Sequence, residues 1–448
     1  MDERAMAQRI AEKVSQKGGR AYFVGGCVRD KLMGRENKDL DIEIHGLSSI
    51  AVESILDTLG ERQEVGKSFG VYLLKGYDID IALPRREKAV GAGHRDFEVR
   101  IDPKIGTEKA AKRRDFTMNA MMEDVLTGEI VDHFSGRQDL AQGILRHVND
   151  SSFGEDPLRV LRAAQFAARF GFSVAEETIA ICRTMKLGTL SKERVFEELK
   201  KALLQAEKPS IFFETLFEME AMDVWFLEVL ALRGIKQNVK YHPEGDVWTH
   251  TMMVLDAAAE RRHLAKSPLA LMLGALVHDF GKIVVTKEID GVFHAYHHEV
   301  EGLPLIRKFL KRLTQEKELV REVLNLAELH MRPNMLAGDA ASVKATNKMF
   351  DLAMVPEDLI LLALCDNAGK GMDQADTAEG FLRDRLRIFY ETVQKPYVEG
   401  KDLQDAGILP GAHYGELLAY AHKLRLAGVE KEAALKQTLA YGREKKLI

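Results

Sequence analysis

Cysteine is scarce, with three residues in 448, at positions 27, 182 and 365. So few and so scattered, they offer neither a disulfide framework nor a zinc spacing, and a reducing cytoplasm is the compartment they fit. Long apolar runs are lacking as well. No stretch reads as able to cross a membrane, and the opening MDERAMAQRI is too charged for a secretory signal. Low-complexity linkers and short internal repeats are also missing. Nor is there an excess of positive charge, the formal net charge being −5. That weighs weakly against a nucleic-acid partner, although a net value hides local distribution. Basic residues gather at 104–114 (KIGTEKAAKRR) and again from Lys423 to Lys446, where seven Lys/Arg stand against three Asp/Glu. By charge alone such runs read as solvated helix faces, so any nucleic-acid binding has to be argued from chemistry.

What is present is an ordinary globular composition, 46% hydrophobic and 30% charged. The chain is too long for one core, and roughly two to four domains are expected. The first part mixes short strands with helices. AYFVGG (21–26) is an apolar run ending in glycines, and DLDIEI (39–44) alternates with strand period. VYLLKGYDIDIAL (71–83) reads as a hairpin around Gly76, and GEIVDHFSG (128–136) as a last strand and turn. After Gly154 the pattern is helical. DPLRVLRAAQFAARFGF carries apolar residues at helical spacing up to a stop at Gly171, and a His-rich helical block runs from about Gln237 to Gly371.

The chemistry begins at Asp39-Leu-Asp41. Residues two apart on a strand share a face, so both carboxylates can reach one hard cation. Asp80, between Ile79 and Ile81, supplies a third from the hairpin. Two magnesium ions held there could activate a 3′-hydroxyl and neutralise a triphosphate. Alone, such a pair is more often a solvated strand edge. Its context differs, because Gly25-Gly26 closes the preceding strand and Val28-Arg29-Asp30 begins a helix. Glycines there let backbone N–H groups approach phosphate, and Arg29 adds a bidentate donor.

GGCVRDKLMGRENKDLDIEI resembles the first motif of the class II tRNA nucleotidyltransferase and bacterial poly(A) polymerase family. RRDFTMNA (113–120) resembles its second, in which Arg114 and Asn119 would contact ribose and triphosphate beside Asp115. DHFSGRQDLAQGILR (132–146) is similar to the following hinge-like motif, EDPLRVLRAAQFAARFGF (155–172) to the base-selecting helix, and LSKERVFEEL (190–199) to the next helix. The resemblance implies that Glu155, Asp156 and Arg159 form a protein template choosing CTP and then ATP. Asp156 and Arg159, three apart, are expected on one helical face, where a fork of donors and a carboxylate can satisfy a base edge. The bland alternative is an acidic first turn with Arg159 as its salt-bridge partner. Arg162 fits the family, but the position three beyond it, commonly a second arginine, is Gln165 here. That substitution bears on nucleotide affinity and on the CTP-to-ATP switch. Arg86–Glu98 fills the place of the family's flexible loop, which argues for competence in adding the terminal A.

A second constellation lies in the helical block: His250, His278-Asp279, His298, His330 and Asp366. It resembles the HD pattern of metal-dependent phosphohydrolases. Imidazole with carboxylate suits a first-row transition metal of the nickel, manganese or cobalt type, and a bridged pair could activate water against a phosphoester. His242, His294 and His297 are taken as outer or surface residues. YHPE…H followed by HDFGK is similar to bacterial CCA-adding enzymes with a fused HD domain. For those the resemblance implies phosphatase, 2′-nucleotidase and 2′,3′-cyclic phosphodiesterase activity.

The expected architecture is α+β: a nucleotidyltransferase α/β domain with a small mixed sheet, then all-α domains. The expected boundaries are 1–146 for the catalytic head and 147–236 for a helical nucleotide-selecting and RNA-binding-like region. The HD domain is placed at 237–372 and a partly basic helical end at 373–448. The expected activity is CCA addition to tRNA from CTP and ATP, with magnesium at the transferase site, no membrane partner, and a monomer or homodimer. Poly(A) or A-only addition on the same scaffold is one alternative. A hydrolase whose transferase half only binds RNA is another.

Overall fold

The computed structural model describes residues 2–35, 39–64, 70–89, 97–370, 375–395 and 397–448. They form two compact units, Met1–Ala202 with Ile211–Val224, and Leu203–Ser210 with Trp225–Ile448. The chain therefore passes between units after 202, 210 and 224, all three within the expected 147–236 region.

The first unit is built on a seven-stranded mixed sheet. Its strands are β1 (Arg20–Val24), β2 (Leu40–His45), β3 (Arg62–Glu64), β4 (Val71–Leu74) and β5 (Ile79–Ala82). A separate antiparallel ribbon, β6 (Arg85–Ala89) with β7 (Phe97–Ile101), comes next, and β8 (Met122–Asp124) and β9 (Ile130–Val131) return to the sheet. The order is β3-β4-β5-β2-β1-β8-β9, with β2 and β5 parallel and the other neighbours antiparallel. Ile42, Ile44, Ile79 and Ile81 are buried in the strands, and helix α1 (Glu3–Gln16) covers them with Met6, Ala7, Ile10, Ala11 and Val14 at helical spacing. The expected strands at 21–26, 39–44, 71–83 and 128–136 are all present. The tip of the Arg86–Glu98 segment, 90–96, lies outside the described residues, but its two sides pair as β6 and β7.

Two helices carry site residues. Helix α2 (Gly26–Leu32) follows β1 directly through Gly25, whose φ of 72° lies in the left-handed region. Helix α3 (Leu158–Phe170) ends at Gly171 with φ 69°, the stop the sequence indicated.

The second unit is helical. Helices α4 (Val247–Arg261), α5 (Pro268–Val277), α6 (Lys317–Leu329) and α7 (Pro356–Gly369) form its centre, with Ala270 to Val277 buried without a break. The stretch Pro268–Val285 is, by length and composition alone, apolar enough to cross a membrane. It is 72% buried inside the unit, and α5 itself is 10 residues long, so its apolarity is that of a core helix. The block was expected to be wholly helical but contains a hairpin, β10 (Lys287–Ile289) with β11 (Val292–His294). Asp290 (φ 50°) and Gly291 (φ 76°) turn it, two left-handed residues that match strand twist in a two-residue loop.

Candidate active sites

In the first unit the parallel register of β2 and β5 sets Asp41 opposite Asp80, and Asp39 stands at the entry to β2. The flanking Leu40, Ile42, Ile79 and Ile81 are buried, so strand alternation turns the carboxylates to the other face. Burial, then the charge of Asp80, raises the Asp41 carboxyl to about 6, with Arg114 opposing and Asp39 adding to the rise. Asp80 is raised by desolvation and by Asp78 and Asp39. Two raised carboxyls with Asp39 beside them suit a multivalent cation. The turn at Gly25 keeps space beside them. A Cβ there would sit 3.2 Å from Arg114 Nη1 and 3.7 Å from Asp41 Oδ2. Residues and space both fit a cation with a phosphate group.

Arg114 is braced by Glu43, 3.6 Å away, which also accepts from Arg113 at 3.3 Å. Other expected nucleotide ligands form a chain of hydrogen bonds that runs from the half-buried Arg162 inward. Arg162 Nε donates to Asp115 Oδ2 at 2.7 Å, Asn119 Nδ2 to Asp115 Oδ1 at 3.0 Å, and Arg29 Nη1 to Asn119 Oδ1 at 2.7 Å. Arg29 Nε donates to Asp30 at 2.8 Å, and its guanidinium lies over the Phe166 and Phe170 rings. Arg29, read as a phosphate donor, is 4% exposed and joined to protein partners on both sides. Its neighbours fixed that outcome, for a buried guanidinium requires a carboxylate and Asp30 is adjacent.

The salt bridge from Asp156 to Arg159 that the bland alternative called for is not formed among the described residues. Helix α3 begins at Leu158, so Asp156 precedes it, accepting from Leu158 N at 3.1 Å and pairing with Arg194 at 2.8 Å. Arg159 instead donates to the carbonyls of Ser152 and Arg113, at 2.6 and 2.7 Å. Glu155 is exposed in the turn before α3. Gln165 is buried, 1% exposed, and its Nε2 has no hydrogen-bond partner among the described residues.

In the second unit, six residues from widely separated positions meet. Asp279 stands between two histidine pairs. Its Oδ2 is 3.3 Å from His278 Nε2 and 3.7 Å from His250 Nε2, and its Oδ1 is 3.2 Å from His298 Nε2 and 3.9 Å from His330 Nε2. Asp366 Oδ1 lies 3.0 Å from His250 Nε2. The other ring nitrogens are held from behind: Nδ1 of His278, His298 and His330 by the carbonyls of Ala275, Ala295 and Ala327, at 2.9, 2.9 and 2.6 Å. His250 Nδ1 is 2.7 Å from Glu244 Oε1, which also accepts from His242 at 2.8 Å. These supports fix the tautomer that leaves each Nε2 lone pair facing inward. His278 Nε2 is buried without a hydrogen-bond partner, and burial with the nearby His278 and His298 pushes His330 down to about 3. Imidazoles converging on carboxylates are a donor set for divalent transition metals, and the arrangement fits them.

Several contributors were not picked out in the sequence. Glu244 orients His250 from within YHPE; Lys282 Nζ lies 2.8 Å from Asp279 and Lys370 Nζ 2.6 Å from Asp366. Arg194, within LSKERVFEEL, holds Asp156. Of the histidines set aside, His242 and His294 line the cavity over the cluster, while His297 is exposed with φ 58°.

Three family models match the chain: the poly A polymerase head domain over residues 21–146, the probable RNA and SrmB-binding site of polymerase A over 171–232, and the HD domain over 247–368. Among curated proteins it is 37% identical over 423 residues to the multifunctional CCA protein of Stenotrophomonas maltophilia, covering 91% of this chain and 98% of that one. It is 39% identical over 361 residues to that of Pseudoalteromonas atlantica, covering 78% and 85%. The Bacillus stearothermophilus CCA-adding enzyme in complex with CTP shares the fold, with a TM-score of 0.68 at 23% identity over 100% of this chain and 99% of that one. The Thermotoga maritima CCA-adding enzyme complexed with tRNA has a TM-score of 0.61 at 20% identity, covering 98% and 95%.

Proposed function

The chain belongs to the family of multifunctional CCA proteins, and from that premise we propose how its two centres divide the work. The enzyme adds CCA to the 3′ end of tRNA from CTP and ATP, and its HD domain is the phosphohydrolase part of the same chain. Asp39, Asp41 and Asp80 are the catalytic carboxylates. The observation that carries this is the β2–β5 register, which sets two of them side by side at the open Gly25 turn. They would hold magnesium, which when bound supplies charge neutralisation for the triphosphate. Arg114, directed at that turn by Glu43, binds phosphate. The 3′-oxygen of the RNA forms the new bond to the α-phosphorus, and pyrophosphate leaves.

Arg29, Asn119, Asp115 and Arg162 act as a frame behind the nucleotide, while Glu155, Asp156 and Arg159 present the base-reading edge. Arg159 ties that edge to the RRDF segment through Arg113. At the HD site, His250, His278, Asp279, His298, His330 and Asp366 would hold divalent metal of the nickel, manganese or cobalt type. Such metals supply an activated water. Lys282 and Lys370 draw the phosphoester in. The functional regions run 1–146, 147–236, 237–372 and 373–448, with the basic end reserved for the tRNA body, where backbone contacts dominate. The cytoplasm is its compartment, in keeping with three free, buried cysteines.

One observation favours a second reading, A-only addition: Gln165, buried without a partner for Nε2, stands where the family commonly has a charge. Extension of tRNA lacking CCA, with CTP and ATP offered separately and together, decides between them. CCA addition requires C, C and A in order. Incorporation of ATP alone, onto tRNA already ending in CC, would replace the first reading with the second.

A further inference from the structure

The cavity above the HD cluster encloses about 530 Å³, in the range of small-molecule sites and far more than a phosphate group needs. Its floor is Asp279, His298, His330 and Asp366 of the metal-ligand set, with the ammonium groups of Lys282 and Lys370 beside the two aspartates. Its wall has another chemistry. His294 and Tyr296 leave the β10–β11 hairpin with rings nearly parallel, 15° between planes and 5.1 Å between centroids. Phe293 stands beside them, with Lys236 over its ring at 5.6 Å, and Tyr241 lines the cavity from another segment. Tyr296 is 66% exposed and Tyr241 55%. Aromatic faces of that size left open at a cavity rim offer a stacking surface for a planar ring.

We propose that His294, Tyr296 and Tyr241 are specificity-determining residues of the HD site. They stack the nucleobase of a nucleoside phosphate whose phosphoryl group is held over the metal-ligand cluster. This rests on the reading of the cluster as a phosphohydrolase centre. Cationic groups at the floor and open aromatic faces at the wall match the two halves of a nucleotide. Neither half alone would use the whole cavity. Because stacking reads the π-face of any base, the wall distinguishes a nucleoside phosphate from a phosphoester without a base. The two-residue turn at Asp290–Gly291 and the β10–β11 pairing place His294 at the end of the hairpin, with Tyr296 two residues beyond it.

The test compares phosphate release from adenosine 2′-phosphate and from glycerol 2-phosphate, two phosphomonoesters of secondary alcohols that differ in having a base. Full-length enzyme is supplied in turn with manganese, cobalt or nickel. The wild type should prefer adenosine 2′-phosphate in kcat/KM. Tyr296→Ala should reduce that preference about ten-fold, through KM, and Tyr296→Phe should restore it. Equal losses on both substrates, or an unchanged preference, would overturn the proposal. If the wild type hydrolyses neither ester with any of the metals, the hydrolase reading fails, and calorimetric binding of adenosine 2′-phosphate still decides the wall. A signal from the transferase site is common to wild type and Tyr296→Ala and cancels. Equal affinities would then refute the wall.

Discussion

At the scale of single residues, the transferase unit depends on one buried carboxylate. Asp115 accepts from Arg162, Asn119 and its own neighbour Phe116, and so joins α3 to the segment before β8. Burial alone would raise its carboxyl, but Arg162 and then Asn119 outweigh it and hold the group below the usual carboxylate range. A lowered folded value means that the stabilisation is present above the unfolded value, near 3.9, and is lost as pH falls through the folded one. Asp115→Asn removes the charge and with it the main partner of the half-buried Arg162 guanidinium, which should cost about 2 kcal/mol. Urea denaturation followed by a probe in the first unit should show that difference undiminished from pH 5 to 8 and shrinking below about pH 4. A difference independent of pH would mean that packing, not charge, accounts for it. Asp115 was legible in the sequence because RRDFTMNA resembles a motif of the family. Its partner Arg162 was read as a nucleotide ligand on the base-selecting helix, since nothing in spacing tells which carboxylate a guanidinium 47 positions away will meet. The same limit explains Asp156, which took Arg194, 38 positions on, over Arg159 three residues away.

Between elements, the HD centre is assembled by close approach more than by any single ligand. The turn after α5 brings Gly281 against the short helix His298–Glu301, so tightly that a Cβ on Gly281 would stand 1.9 Å from the carbonyl oxygen of His298. That residue is itself a proposed ligand, so a methyl group there must displace the ligand or the turn. Gly281→Ala should therefore abolish phosphoester hydrolysis and weaken manganese or nickel binding by at least ten-fold, while CCA addition continues. Calorimetric metal titration and the extension assay check this together, and retained metal affinity would show that the turn can yield. HDFGK was legible as a motif, and its glycine is now explained by contact. The β10–β11 hairpin went unread for a physical reason. Its strands of three residues are too short to show a period, and Asp290-Gly291, the strongest local signal, was overshadowed by the histidines around it. Strand β8 was hidden likewise inside NAMMED, where burial on both faces erases alternation.

For the molecule as a whole, the division of the chain matters more than its order. Motifs read along a sequence suggest contiguous domains, with a boundary at 236. The folded chain gives Leu203–Ser210 and Trp225–Lys236 to the second unit although they precede that boundary. These segments make specific bonds there. Ser210 donates to Asp256 through its N–H at 3.0 Å and its hydroxyl at 2.7 Å, Arg262 caps the carbonyl of Ala206 at 2.6 Å, and Glu228 pairs with Arg312. Asp256 is a half-buried carboxylate that burial pushes up and Ser210 holds down, so removing Ser210 leaves it poorly solvated. A fragment beginning at 237 retains all six HD ligands yet loses each of these partners. A fragment beginning at 203 keeps them. Losing two or three such interactions costs about 2–4 kcal/mol, or roughly 5–10 °C in Tm for a unit of this size. The 203–448 fragment should accordingly melt at least 5 °C above 237–448, and bind manganese at temperatures where the shorter fragment does not. Equal melting temperatures would return the boundary to where the sequence put it. A large gap would mean that the hydrolase centre is held in shape by a strand of chain that sequence motifs alone assign to the transferase side.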